Sequence, residues 1–345
     1  MSTSTRAPVP AARSHAARSF AVRSLAVRSL AVLAMAGLSA VPASAAEKFS
    51  YLTNWFAQAE HGGYYQAKAE GLYDKAGIDA EIRMGGPQVN AMQLLLAGEV
   101  DAIMGYDFQV LNAVEKGLPA ITVATTFQHD LQGAMTHADV PGLAGLKGKT
   151  ILIASSSHTT FWPWLKAKYG LTDDQTKAYT FNLQPFFADP DTAQQAYSSS
   201  EPFQAQEKGV PVHFYLFAKD GYPPYGSTIV TTRKVMETRP EVLKAFIRAS
   251  MQGWRDYMKD PAPGNALIKA ANPKMSEAQI AYGIAKMREL GVLDGDGTVP
   301  IGSMTEARWK ATDDYMVANG LLKPDTDWHR AFTTAFTADL DAKLN

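Results

Sequence analysis

Residues 49–84 read FSYLTNWFAQAEHGGYYQAKAEGLYDKAGIDAEIRM, and this stretch decides the fold. Phe49–Asn54 is a short apolar strand candidate. Gly63–Lys75 has a helical pattern, with Tyr64, Ala67, Leu72 and Tyr73 roughly on one side, and Gly77 stops it. Ile78–Met84 alternates apolar and polar residues as a half-buried strand does. Strand, helix and strand over 36 residues make a parallel βαβ unit. The connection Thr53–Gly63 carries Asn54, Trp55, Phe56, His61, Gly62 and Gly63. Binding groups gather at such strand-to-helix junctions, because ligands in open α/β sheets sit beyond the carboxyl ends of strands. One aromatic alone would read as core. Two aromatics, an imidazole and a glycine pair that opens the backbone to a ligand read as a binding loop.

Working outward, the rhythm continues. Gly85-Gly86-Pro87 is a turn, and Gln88–Ala97 a helix closed by Gly98. Val100–Gly105 is a buried strand, Asp107–Lys116 a helix ended by Gly117, and Ile121–Phe127 a β-branched strand. A second βα series starts at Thr150–Ala154, followed by a helix through Trp164 to Tyr169. Strands are expected at Ala178–Asn182 and Val212–Phe217, and helices at Thr192–Tyr197 and Phe203–Lys208. From Arg239 the pattern is mostly helical: Pro240–Lys259, Gly264–Ala271, Ser276–Leu290, Met304–Asn319 and Asp327–Leu344. Phe108-Gln109 followed by Glu115-Lys116-Gly117-Leu118-Pro119 is echoed by Phe203-Gln204 followed by Glu207-Lys208-Gly209-Val210-Pro211. The echo points to two lobes of one design.

The first 45 residues are read as a signal peptide rather than as fold. Five arginines without an acid, an apolar run from Leu30 to Val41 and an Ala-Ser-Ala site have the order of a secretory signal. The rival reading is an Arg/Ser-rich organelle transit peptide, and the Ala-Ser-Ala site after an apolar core favours export over it. With no cysteine in the chain there are no disulfides, no thiolate metal site and no lipid-modified cysteine. A periplasmic protein without a lipid anchor is expected. Removing five arginines leaves 28 basic residues against 34 acids, a net charge of −6. A nucleic-acid partner therefore has no electrostatic support.

Thr53-Asn54-Trp55 through His61-Gly62, Ala67–Ile78 and Leu96-Ala97-Gly98-Glu99-Val100-Asp101-Ala102 resemble periplasmic solute-binding proteins of ABC importers. The branch is the nitrate, sulfonate, taurine and thiamine-pyrimidine group. The resemblance is strongest over Phe49–Thr126. It implies a type II periplasmic binding fold: two α/β lobes, each a mostly parallel sheet flanked by helices, joined by two crossings and completed by a helical C-terminal region. Residues 46–128 and 231–345 would form lobe one, and 129–230 lobe two, with crossings near Phe127–Leu131 and Ser227–Thr232. It implies an ABC permease as partner, a monomer, and no cofactor. In members that bind the pyrimidine precursor of thiamine, positions matching Trp55 and His61 sit at the ligand. A related enzyme branch sacrifices its own histidine and relies on a cysteine-rich iron-binding segment, which this chain lacks.

Strand ends select the candidate ligand contacts. They are Asn54, Trp55, Phe56 and His61; Gly86; Tyr106 and Asp107; Ser156, Ser157, His158 and Thr159; and then Trp162, Glu201 and Tyr225. The hydroxyl-rich Ser155–Thr160 run at a helix start suits an anion or a carbonyl. Glu201 suits an amino or ammonium group. No catalytic or metal-binding motif is present. The expected ligand is a flat heteroaromatic such as a thiamine-type pyrimidine, with a sulfonate, taurine or other small organic anion as the runner-up.

Overall fold

The computed structural model describes residues 46–338 and 340, and the segment read as a signal peptide lies outside them. The first lobe begins with β1 (Glu47–Leu52), α1 (Gly62–Ala69), α2 (Leu72–Lys75), β2 (Ile78–Arg83), α3 (Ala91–Ala97), β3 (Ala102–Gly105), α4 (Asp107–Glu115) and β4 (Ala120–Phe127). The chain then crosses to β5 (Gln132–His137), β6 (Thr150–Ile153), α5 (Phe161–Tyr169), β7 (Thr176–Ala178), α6 (Gln184–Ala188), β8 (Thr192–Tyr197), α7 (Glu201–Glu207) and β9 (Val212–Leu216). It returns as β10 (Gly226–Thr232) and ends in α8 (Arg233–Thr238), α9 (Pro240–Lys259), α10 (Ala262–Ala271), α11 (Glu277–Glu289) and α12 (Glu306–Ala318).

Two five-stranded sheets share one plan. Their orders are β2-β1-β3-β10-β4 and β7-β6-β8-β5-β9. In each, four strands run parallel and the fourth position runs against its neighbours. That inverted strand is the one that has just crossed: β10 enters the first sheet from lobe two, and β5 enters the second from lobe one. The two-lobed architecture is therefore present. The echo at Phe108 and Phe203 falls on α4 and α7, which follow the third strand of each sheet.

Crossing one is residues 128–131. The return is residues 221–225, earlier than the sequence suggests, because Ser227–Thr232 is already laddered to β3 and β4. The β5 strand had no sequence signal. Thr192–Tyr197 is a strand and not the expected helix. It lies between β6 and β5 with Thr192–Ala196 buried, and that central place overrides the helix preference of its Ala and Gln residues. The expected helix from Asp327 is a single 3₁₀ turn, Trp328–Ala331. Beyond it the Thr333 and Thr337 hydroxyls bond local backbone, and Thr333 N–H donates to Thr122 O at 3.0 Å, so helical bonding is displaced.

The long helix α9 buries Leu243, Phe246, Ile247, Ser250, Met251, Trp254 and Tyr257 at helical spacing against lobe one. Phe246 stacks on Tyr64 and Tyr73. A Cβ on Gly62 or Gly63 would overlap the Tyr257 or Trp254 ring, and one on Gly253 would overlap Gly63 O. The glycine pair after His61 therefore serves close packing of α1 on α9 and not ligand approach. Gly71, at φ +64°, breaks the expected helix 63–75 into α1 and α2.

Candidate functional site

The carboxyl ends of β1 and β3 face lobe two across a cavity of about 280 Å³. Asn54, Trp55, His61, Tyr106, Ser156, Ser157, Thr159 and Glu201 line it, so eight of the fourteen expected contacts converge.

One hydrogen-bonded chain runs through this wall, and its directions are fixed. Gln58 N–H donates to His61 Nδ1 at 3.3 Å. The proton is therefore on Nε2, which donates to Asn54 Oδ1 at 3.0 Å. Burial holds the imidazole neutral, with a pKa lowered to about 3. Asn54 Nδ2 donates to the Tyr106 phenol at 2.6 Å, and Gln132 Nε2 donates to the same oxygen at 3.2 Å. With both lone pairs occupied, Tyr106 donates its own proton to Tyr197, 2.7 Å away. Tyr197 in turn faces the buried Asp130 carboxyl. The chain starts in lobe one and ends in the first crossing and lobe two.

Glu201 accepts from Tyr179 O–H and from Tyr197 N–H, each at 2.8 Å, and burial pushes it up to about 7. Burial also raises Glu60, which accepts from Ser199 Oγ of lobe two. Among the described lining residues, Lys116 is the one cation, and it is exposed at the rim.

Two further lining residues carry unpartnered polar atoms. Gln132 Oε1 and Ser227 Oγ are buried without a hydrogen bond. Ser227 sits at φ +50°, a left-handed conformation that costs a non-glycine residue about 1 kcal/mol. Sequence reasoning missed both, together with Glu60, Gln195 and the phenol of Tyr197. The Ser227 backbone leaves no sequence trace. Glu60 was legible as a carboxylate within the opening loop.

Six expected contacts lie outside the lining. Phe56 packs on Phe181 at 5.7 Å and above Gly86, which thereby supports an aromatic and not a ligand. Asp107 is buried and accepts from Tyr225 N–H at 2.8 Å. Tyr225 is buried, and its phenol accepts from Thr305 N–H. Trp162 is core, with Nε1 donating to Asp173 at 2.7 Å. His158 points outward and is exposed.

The hydroxyl run does not form the anticipated anion cradle. Ser155 N–H donates to Pro87 O, and Ala154 N–H and Ser157 Oγ both donate to Gln195 Oε1. Ser155 Oγ reaches Gln88 across the cleft at 2.7 Å, and Gln109 reaches back to Thr159 at 3.1 Å. Trp55 stacks on Tyr179 of lobe two at 6.0 Å. The two lobes are thus in contact on both flanks of the cavity. Among the described residues no group of three metal-ligating side chains occurs, and no helix is long and apolar enough to cross a membrane.

Comparison with known proteins agrees with this architecture. The chain is 25% identical over 299 residues to the riboflavin-binding protein RibY of Chloroflexus aurantiacus, covering 83% of this chain and 84% of that one. It is 24% identical over 225 residues to the formylaminopyrimidine-binding protein of Halalkalibacterium halodurans, covering 63% and 68%. The alkanesulfonate-binding protein SsuA from Xanthomonas axonopodis pv. citri, solved bound to MOPS, superposes with a TM-score of 0.62. That likeness spans 84% of this chain and 98% of SsuA at 16% identity, and it shows the fold alone. The family model described as NMT1/THI5 like matches residues 58–263, more than half of the sequence, and the chain belongs to that family.

Proposed function

We propose that this protein is the solute-binding component of an ABC importer that closes two lobes over an uncharged nitrogen heteroaromatic. A thiamine-type pyrimidine and a flavin are two ring classes of this kind. The observation that carries the reading is the charge of the cavity. Its inner wall offers amides, phenols, a neutral imidazole and two carboxyls, and among the described lining residues no buried cation faces them. A sulfonate or carboxylate would lose its water there without an opposing charge, which is costly. An uncharged ring with donors and acceptors on its edge meets Gln132 Oε1, Ser227 Oγ and Glu201, with Trp55 for its face. The names of the two relatives, one binding riboflavin and one formylaminopyrimidine, support the same chemical class.

Catalysis is not part of this reading, because the His61 proton is committed to Asn54 and its other nitrogen to Gln58. A monomer in the periplasm without a lipid anchor, handing its solute to a permease, completes the proposal. A thermal-shift screen of pyrimidines, flavins, alkanesulfonates, taurine, nitrate and carboxylates tests it. A heteroaromatic at a hundredfold excess over its Kd should add about 2.7 kcal/mol of stability. Stabilisation by sulfonates alone would overturn the reading.

A further inference from the structure

The cavity is longer than one ring. On α4 and its ends the lining residues are Gln109, Asn112, Ala113 and Lys116, the i, i+3, i+4, i+7 face of a helix. Tyr106, at the inner end, precedes that helix, and Lys116 closes it. Ten residues at about 1.5 Å each make a trough of about 15 Å. A single pyrimidine at Tyr106 would leave the outer part to solvent.

The outer trough has its own chemistry. Val89, Ala91 and Met92 supply apolar contact from the start of α3. The Asn112 amide and the Ser156 hydroxyl line it, and neither side chain has a hydrogen-bond partner among the described residues. The bridges Ser155–Gln88 and Gln109–Thr159 join the lobes beside it. Neutral amides and hydroxyls set among the apolar side chains of Val89, Ala91, Met92 and Ala113 match an uncharged chain bearing hydroxyls. They do not match a charged one, since Lys116 is exposed and an ion pair there is worth at most about 1 kcal/mol.

We propose that the ligand is a heteroaromatic ring system with a hydroxylated chain, the ring at Tyr106 and the chain lying along α4 against Asn112 and Ser156. This rests on the heteroaromatic reading above and adds the length and chemistry of the solute. Isothermal titration of the purified protein compares three probes: an aminopyrimidine, lumichrome as a ring system without a chain, and riboflavin as the same ring system with a polyhydroxylated chain. Riboflavin should bind at least tenfold more tightly than lumichrome. Asn112→Leu should lower riboflavin affinity at least fivefold more than lumichrome affinity. Ser156→Ala, a smaller change, should act in the same direction and guards against misfolding of the first variant, with circular dichroism as the check. If lumichrome or the aminopyrimidine binds as tightly as riboflavin, or if both variants weaken all probes equally, the chain site is wrong while the heteroaromatic reading stands. If none of the three binds and an alkanesulfonate does, both fall.

Discussion

At the scale of single residues the site is a directed network, and direction makes it fragile. Tyr106 accepts two hydrogen bonds and donates one, so its oxygen joins Asn54, Gln132 and Tyr197. Tyr106→Phe would leave two amide donors, the buried Gln132 and the half-buried Asn54, without an acceptor. The expected loss is about 1–3 kcal/mol in the urea unfolding free energy. An unchanged midpoint would show that water replaces the phenol. Ser227 makes the opposite case. Its left-handed backbone is a cost that glycine would relieve, so Ser227→Gly should raise stability by about 0.5–1 kcal/mol. The same change removes a hydroxyl that lines the cavity without a partner, so heteroaromatic affinity should fall severalfold. Stability and affinity moving together would break the argument that the strain serves binding.

At the scale of elements, what was legible followed from local periodicity. Pro240–Lys259 was read from its amphipathic pattern, and α9 has those bounds. The opening junction was legible because aromatics, an imidazole and an amide cluster after a strand. What failed depended on distant partners. Thr192–Tyr197 becomes a strand only between β6 and β5, and β5 itself, with Gly133 and two polar ends, exists because it pairs with both β8 and β9. The hydroxyl run misled for a similar reason, since its amides and hydroxyls are taken by Pro87, Gln88 and Gln195, far away in sequence. The glycine pair was read as ligand access, whereas its neighbours are the rings of α9. Gly63→Ala would therefore force a methyl into the Trp254 ring, costing about 1–3 kcal/mol. Denaturant melts would show it, and a shift below about 0.5 kcal/mol would mean that α1 and α9 separate easily.

At the scale of the whole molecule, the two crossings are held by buried carboxyls. Asp130 lies in the first crossing and receives Gln132 N–H, while Asp107 holds the return crossing through Tyr225 N–H. Each has one oxygen without a partner. Burial pushes each up to about 7, with Arg308 opposing the rise at Asp107. Tyr106, Tyr197 and Tyr222 surround Asp130, and none supplies a cation. In the unfolded chain an aspartate titrates near 4. Between about pH 4 and 7 the folded state therefore holds a proton that the unfolded state has released. Stability from this group is complete below that window and is lost as pH rises through it. His61 works the other way, since its folded pKa of about 3 withholds a proton that the unfolded chain binds below about 6.5, so the total curve mixes both signs. A difference measurement separates them. Asp130→Asn keeps the side-chain carbonyl for Gln132 N–H and cannot ionise. Relative to the unsubstituted protein, its unfolding free energy should rise between pH 5 and pH 8 by on the order of 1–3 kcal/mol. The gain should level off above pH 7, where Asp130 is already charged. Ligand-free small-angle scattering at both pH values adds a shape readout: on the proposed closure of the two lobes, a charged Asp130 beside Asp107 should change the angle between them. Parallel stability curves for the two proteins would show that Asp130 stays ionised throughout, and would remove this carboxyl as a source of pH dependence.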